Sequence, residues 1–141
     1  MNCNPHLTFN GQCEAAFRFY EKCLNGEVTV MLSYADTPLA EQMPPELRKM
    51  IVHATLSLGS HRITGADATP EQYQKPQGFS VLLNIDDATD ADRIFHALAE
   101  QGTVQMAIQE TFWASGFGML VDQFGTPWLV NCGKQALRPE A

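Results

Sequence analysis

Glu110-Thr-Phe-Trp-Ala-Ser-Gly-Phe-Gly-Met-Leu-Val-Asp-Gln-Phe-Gly-Thr-Pro-Trp-Leu-Val-Asn131 is the stretch from which the rest of the chain is read. Met119, Leu120 and Val121 are strand-like, and Trp128 to Cys132 is an apolar run of strand length. Between them Asp122-Gln-Phe-Gly125 supplies turn chemistry. Asp bonds the backbone two residues on, and Gly accepts positive φ. Phe112, Trp113, Phe117, Phe124 and Trp128 crowd into this segment, although aromatics make up only 9% of the chain. Such a cluster plugs a core or walls a ligand pocket, and here it is expected to do part of each.

Working outward, Val104 to Ile108 is the preceding strand. Ala91 to Glu100 is a helix with Ile94, Phe95 and Leu98 on one face, ended by Gln101-Gly102 and capped at Asp86-Asp87. Phe79 to Ile85 is a further strand. Ala68 to Gln77, with Pro70 and Pro76, reads as a linker.

Before the linker the same order occurs. His6 to Phe9 is extended and ends at Asn10-Gly11. Cys13 to Leu24 carries Ala16, Phe19, Tyr20, Cys23 and Leu24 at helical spacing and stops at Asn25-Gly26. Val28, Val30 and Leu32 alternate with Thr29 and Ser33. Asp36 to Lys49 is a long Pro-rich loop with a helical turn after Pro45. Ile51 to Leu58 and His61 to Ala66 flank the hairpin signal Gly59-Ser60.

A single offset of 76 lays Leu7 on Leu83, Phe9 on Ile85, Ala15 on Ala91, Phe19 on Phe95, Gly26 on Gly102 and Val28 on Val104. The hairpins match at an offset nearer 64, because the first half has the longer loop. A repeat of this length predicts an α+β fold of two pseudo-symmetric βαβββ modules. The expected organisation is one domain over 1–141, with module one at 4–67, a linker at 68–77 and module two at 78–133.

Length and composition bound the function. A chain of 141 residues can bury a substantial core, and 45% apolar with 18% charged residues is ordinary for a globular protein. A net charge of −7 without a Lys/Arg cluster argues against a nucleic-acid partner, which needs several cations on one face. No apolar run is long enough for a membrane helix, and no signal peptide is visible, so a cytoplasmic protein is expected. Cys3, Cys13, Cys23 and Cys132 lack CxxC spacing and read as reduced, mostly buried thiols. GxGxxG, GxxxxGK[ST], HExxH and GxSxG are all absent.

Strand alternation sorts the residues into two faces. Leu7, Phe9, Ala54, Leu56, Leu58, Val81, Leu83, Ile85, Trp128 and Val130 form an apolar set that should pack on the helices. The opposite set is more polar: His6, Thr8, His53, Thr55, Ser57, Ser80, Leu82, Asn84, Leu129 and Asn131. A polar sheet face among apolar walls is what a small-molecule cavity requires. His6, Thr8, His53, Thr55, Asn84 and Asn131 are therefore candidate ligand-binding residues, with Phe112 and Trp113 as a lid that stacks on the ligand. Glu110 and Asp67, near the expected rim, are candidate acids or bases, with surface or capping roles as the alternative. The assigned face holds no carboxylate or thiolate, and two histidines fall short of the three ligands usual for a catalytic metal.

Several pieces carry a family resemblance: Pro5-His-Leu-Thr-Phe-Asn-Gly-Gln-Cys-Glu-Ala-Ala16, His53-Ala-Thr-Leu-Ser-Leu58, Ala66-Asp-Ala68 and Glu110–Asn131. The chain resembles PhnB-like proteins of the vicinal oxygen chelate superfamily, which includes glyoxalase I, extradiol dioxygenases and bleomycin- and fosfomycin-resistance proteins. The resemblance implies a cupped mixed sheet around a cavity, and a homodimer whose subunits build the sites together. It also implies metal ligands from the first strand of each module and the last strand of each hairpin. In this chain those places fall near Asn4, Thr64, Ser80 and Leu129, and a shift of one residue brings in only His6. The leading expectation is thus binding of a small, partly apolar molecule with no metal or other cofactor. A metal-dependent enzyme of the glyoxalase/dioxygenase type is the first alternative, with His6 and His53 completed by Glu110 or by the partner subunit. A non-catalytic assembly protein is the second.

Overall fold

The structure is a computed structural model, and it describes residues 1–134. The chain divides into two compact units, Met1–Lys75 and a second that begins at Pro76. The first contains β1 (His6–Phe9), α1 (Cys13–Leu24), β2 (Glu27–Ser33), β3 (Ile51–Leu58) and β4 (His61–Asp67). The second contains β5 (Val81–Asn84), α2 (Ala88–Ala99), β6 (Thr103–Gln109), β7 (Ala114–Val121) and β8 (Pro127–Gly133). Each unit holds one mixed four-stranded sheet, ordered β1-β4-β3-β2 in the first and β5-β8-β7-β6 in the second. In both, the first strand pairs parallel with the last, and the other two pairings are antiparallel. The βαβββ repeat is therefore present twice.

The helices form for different local reasons. Asp87 caps α2 from within the chain, its carboxylate accepting the Asp90 N–H at 2.9 Å. Gln12 gives α1 no side-chain cap. The missing acceptor comes from β4, where Asp67 Oδ1 takes the Cys13 N–H at 2.9 Å. Both helices run out into a left-handed residue ahead of a glycine, Asn25 at φ 53 and Gln101 at φ 59.

Each helix buries one stripe against its own sheet. In the first unit Cys13, Ala16, Phe17, Tyr20 and Cys23 meet a sheet face that includes Leu7, Phe9, Ala54 and Leu56. In the second, Ala91, Ile94, Phe95 and Leu98 meet Leu120, Trp128 and Val130. Each fully buried large apolar side chain contributes on the order of 1.5–3 kcal/mol. Two sheet glycines let the helices approach closely. A Cβ on Gly65 would stand 2.6 Å from Phe17 Cε1, and one on Gly118 would stand 2.5 Å from Phe95 Cε2.

Several sequence expectations shift in detail. The strands obey the offset of 76, since Leu7 pairs with Gly65 as Leu83 pairs with Val130. The helices do not: Cys13–Leu24 and Ala88–Ala99 stand 75 apart (88 − 13). Phe95 therefore occupies the place of buried Tyr20, and Phe19, its expected match, is only half-buried. One extra residue, Glu100, restores the strand offset before Gln101. The second helix starts three residues earlier than Ala91, directly after Asp87, which is the cap as the Asp86-Asp87 signal implied. Phe79 lies outside β5 and is 51% exposed. The loop after β2 holds three short 3-10 turns, at Tyr34–Asp36, Ala40–Gln42 and Pro45–Leu47, where one had been expected.

Candidate functional site

Pairing registers show which side chains share the sheet face turned away from each helix. In the first unit His6, Thr64, Thr55 and Val30 form one row across all four strands. The next rung pairs Thr8 with Ala66 on one side and His53 with Leu32 on the other. His6 Nδ1 lies 2.8 Å from Thr64 Oγ1, and His53 Nε2 lies 3.2 Å from Thr55 Oγ1. Each imidazole is thus steered by a threonine hydroxyl, which leaves its second nitrogen for other chemistry. His6, Thr8 and His53 are exposed, whereas Thr55 is buried in the middle of the sheet.

The second unit builds the same face from different chemistry. Leu82, Leu129, Met119 and Met106 form an apolar row across four strands, in positions equivalent to His6, Thr64, Thr55 and Val30. Asn84, Asn131, Phe117 and Gln109 form the neighbouring row. Asn131 donates its amide N–H to Asn84 Oδ1 at 3.0 Å. Asn131 Oδ1 is itself buried and has no hydrogen-bond partner among the described residues. Leaving such a group dry costs about 1–3 kcal/mol.

Aromatic rings border this row. Phe112 and Trp113 meet edge to face at 4.8 Å between centroids, and Trp113 meets Phe117 in the same way at 5.3 Å. Phe112 is 83% exposed and Trp113 38% exposed. The aromatic stretch therefore divides its labour. Trp128 is wholly buried in the core, while Phe112 and Trp113 face outward.

The two candidate acids differ. Glu110 is exposed and pairs with Lys134, Oε1 to Nζ at 3.2 Å. Asp67 is buried, and its two oxygens accept the backbone N–H groups of Cys13 and Ile51, each at 2.9 Å. Its carboxylate is occupied in tying α1 and β3 to β4, which is the capping alternative. Beside it, burial pushes the Cys13 thiol pKa far up, with the charges of Asp67 and Glu14 adding to the effect. All four cysteines are free, and Cys3 is exposed.

The residues do not fit the chelate that the resemblance implies. Of the places it indicates, Asn4 and Ser80 precede β1 and β5, and the residues that pair with Thr64 and Leu129 are His6 and Leu82. Two leucines offer no lone pair. Among the described residues no group of three or more His, Cys, Asp or Glu is placed to hold a metal ion.

Thr64, Met106, Gln109 and Met119 belong to these rows and were not singled out as ligand contacts from the sequence. A separate open cavity of about 260 Å³ lies in the first unit between Asn10, Gly11 and the segment Glu46–Met50, and none of the expected site residues lines it. Among the described residues, no helix is long and apolar enough to cross a membrane.

Comparison with known proteins agrees with the fold. Residues 1–131 match the model of the family described as 3-demethylubiquinone-9 3-methyltransferase. The protein YjdN of Escherichia coli is 34% identical, over 96% of this chain and 97% of its own length. The crystal structure of PA1353 from Pseudomonas aeruginosa is 41% identical with a TM-score of 0.86, covering 94% of this chain and 98% of that one. A PhnB protein from Bacillus cereus, at 21% identity, shares the fold with a TM-score of 0.79, over 94% of this chain and 100% of its own. The chain belongs to the 3-demethylubiquinone-9 3-methyltransferase, or PhnB-like, family.

Proposed function

We propose that the protein binds a small, partly apolar molecule on the open faces of its sheets, without a metal, and that it does so as a cytoplasmic homodimer. One observation carries this reading. The second unit's outward face holds a continuous apolar row beside a hydrogen-bonded amide pair, with Phe112 and Trp113 at its border. Apolar walls with a few fixed polar groups are the composition of ligand sites, and a contiguous apolar patch on an exposed face marks a binding surface. The first unit's own open face carries His6, Thr8, His53 and Thr55 as groups that would orient a molecule bound there. Edge strands β2 and β6, with Val30, Leu32, Val104 and Met106 exposed, are where a second copy would find apolar surface. Methyl transfer, which the family description names, is not part of this reading, because the chain has no nucleotide-type glycine loop.

Fluorescence titration with a panel of small aromatic and aliphatic compounds tests the reading. Trp113 is exposed and Trp128 buried, so a ligand on this face should change Trp113 emission saturably, and Trp113→Phe should abolish the change. Flat titrations across the panel, confirmed by unchanged melting temperatures, would contradict it.

A further inference from the structure

We infer that the open face of the second unit's sheet takes a flat aromatic molecule that carries a ring N–H donor and no anionic group, the N–H being given to Asn131 Oδ1. This inference rests on the binding role proposed above and specifies its ligand.

Three observations within the second unit converge on that class. The first is the orphan acceptor. Asn131 spends one amide N–H on Asn84 at 3.0 Å, while its Oδ1 is buried without a partner among the described residues. An acceptor in this state is matched by a donor and by nothing else. A ligand with only carbonyl or ether oxygens leaves it unmatched, and a site built around a polar group discriminates against analogues that lack the complement.

The second is the floor. Leu82, Leu129, Met119 and Met106 run in register across all four strands, and Leu82 and Met106 are exposed. Thioethers make favourable contacts with aromatic rings and adjust to their outline. At the border, Phe112, Trp113 and Phe117 form an edge-to-face chain of rings that a flat molecule can extend.

The third is charge. The two rows carry no ionisable side chain at all. The cation close by, Lys134, is paired with Glu110 at 3.2 Å. A carboxylate or phosphonate would lose its hydration here and meet no counter-charge.

Because Oδ1 is screened from solvent, binding requires side chains over it to part. Trp113 is the side chain proposed to move, because its ring meets Phe117, the cross-strand partner of Asn131. It lies between β6 and β7, outside both strands, and is more than a third exposed.

The probe pair is 2-quinolone and its N-methyl derivative, which differ in the single N–H. Both are titrated into isotope-labelled full-length protein and followed by two-dimensional ¹H–¹⁵N NMR. The expected result is saturable movement of the Asn131 side-chain amide and the Trp113 indole N–H signals with 2-quinolone. The N-methyl compound should bind at least about tenfold more weakly, the scale of one buried hydrogen bond. Asn131→Leu should remove this difference. Asn131→Asp, which keeps an acceptor at the same place, should preserve it, and its folding is checked by its own spectrum. Equal affinity for the two probes in the wild type overturns the inference, as does a preference that survives Asn131→Leu. If neither probe binds while other compounds move signals of this face, the N–H assignment fails and the binding role stands. If no compound moves them, both fail.

Discussion

Asp122 holds Trp128 in place. One carboxylate oxygen accepts the indole N–H at 2.8 Å, while the other takes the backbone N–H groups of Phe124 and Thr126 at 2.8 and 3.1 Å. Asp122, Thr126 and Trp128 are all buried, so one side chain satisfies a turn and a core aromatic together. Asp122→Ala would strand three donors, and chemical denaturation should register a loss of about 2–4 kcal/mol. A loss within about 0.5 kcal/mol, the range of ordinary surface substitutions, would refute this account of the turn.

Asp67 plays the corresponding part in the first unit. Asp67→Asn replaces one acceptor oxygen with an N–H₂ group facing a backbone N–H, so urea unfolding should show about 1–3 kcal/mol of destabilisation. Ligand affinity should be unchanged once the variant is folded. A stable variant with lost binding would instead place this carboxylate in the site.

Thiol chemistry should be graded by burial. Cys3 is exposed and should react with an aromatic disulfide reagent in the native protein at pH 8, while Cys13, Cys23 and Cys132 should need denaturant. The raised Cys13 pKa also fixes a sign. The folded state keeps a proton that the unfolded chain releases above its ordinary thiol pKa, so this contribution to stability falls as pH rises beyond about 8.5. Cys13→Ala should lessen that alkaline loss, measured by melting from pH 7 to 10. An unchanged slope would count against it.

Trp113 should matter to binding and little to folding. Trp113→Phe should shift stability by no more than about 0.5 kcal/mol, as surface changes usually do. It should leave the blue-shifted, quencher-resistant emission of Trp128. Red-shifted emission surviving in Trp113→Phe would mean that Trp128 is not buried.

The fold was legible because each module writes its order in short-range signals. Asn10-Gly11, Asn25-Gly26 and Asp122-Gln-Phe-Gly125 stop or turn the chain where the structure does, with Gly11, Asn25 and Gly125 all at positive φ. Alternation placed Leu7, Phe9, Leu56 and Trp128 on the helix side, where they are buried. The site was legible only in part. Strand β6 breaks register between Val104 and Met106 and again before Gln109, so simple alternation could not assign Met106 or Gln109 to a face. Asp67 caps a helix that starts 54 residues before it, a long-range hydrogen bond with no local signature. Asn131 could be placed on the open face by counting, but its orphan oxygen depends on the packing around it.

The most direct test of the central claim is a native mass spectrum of untagged protein purified from its own host without dialysis. The account predicts a dimer that carries no metal and an organic adduct of small-molecule mass. A dimer with one metal ion per subunit would contradict it.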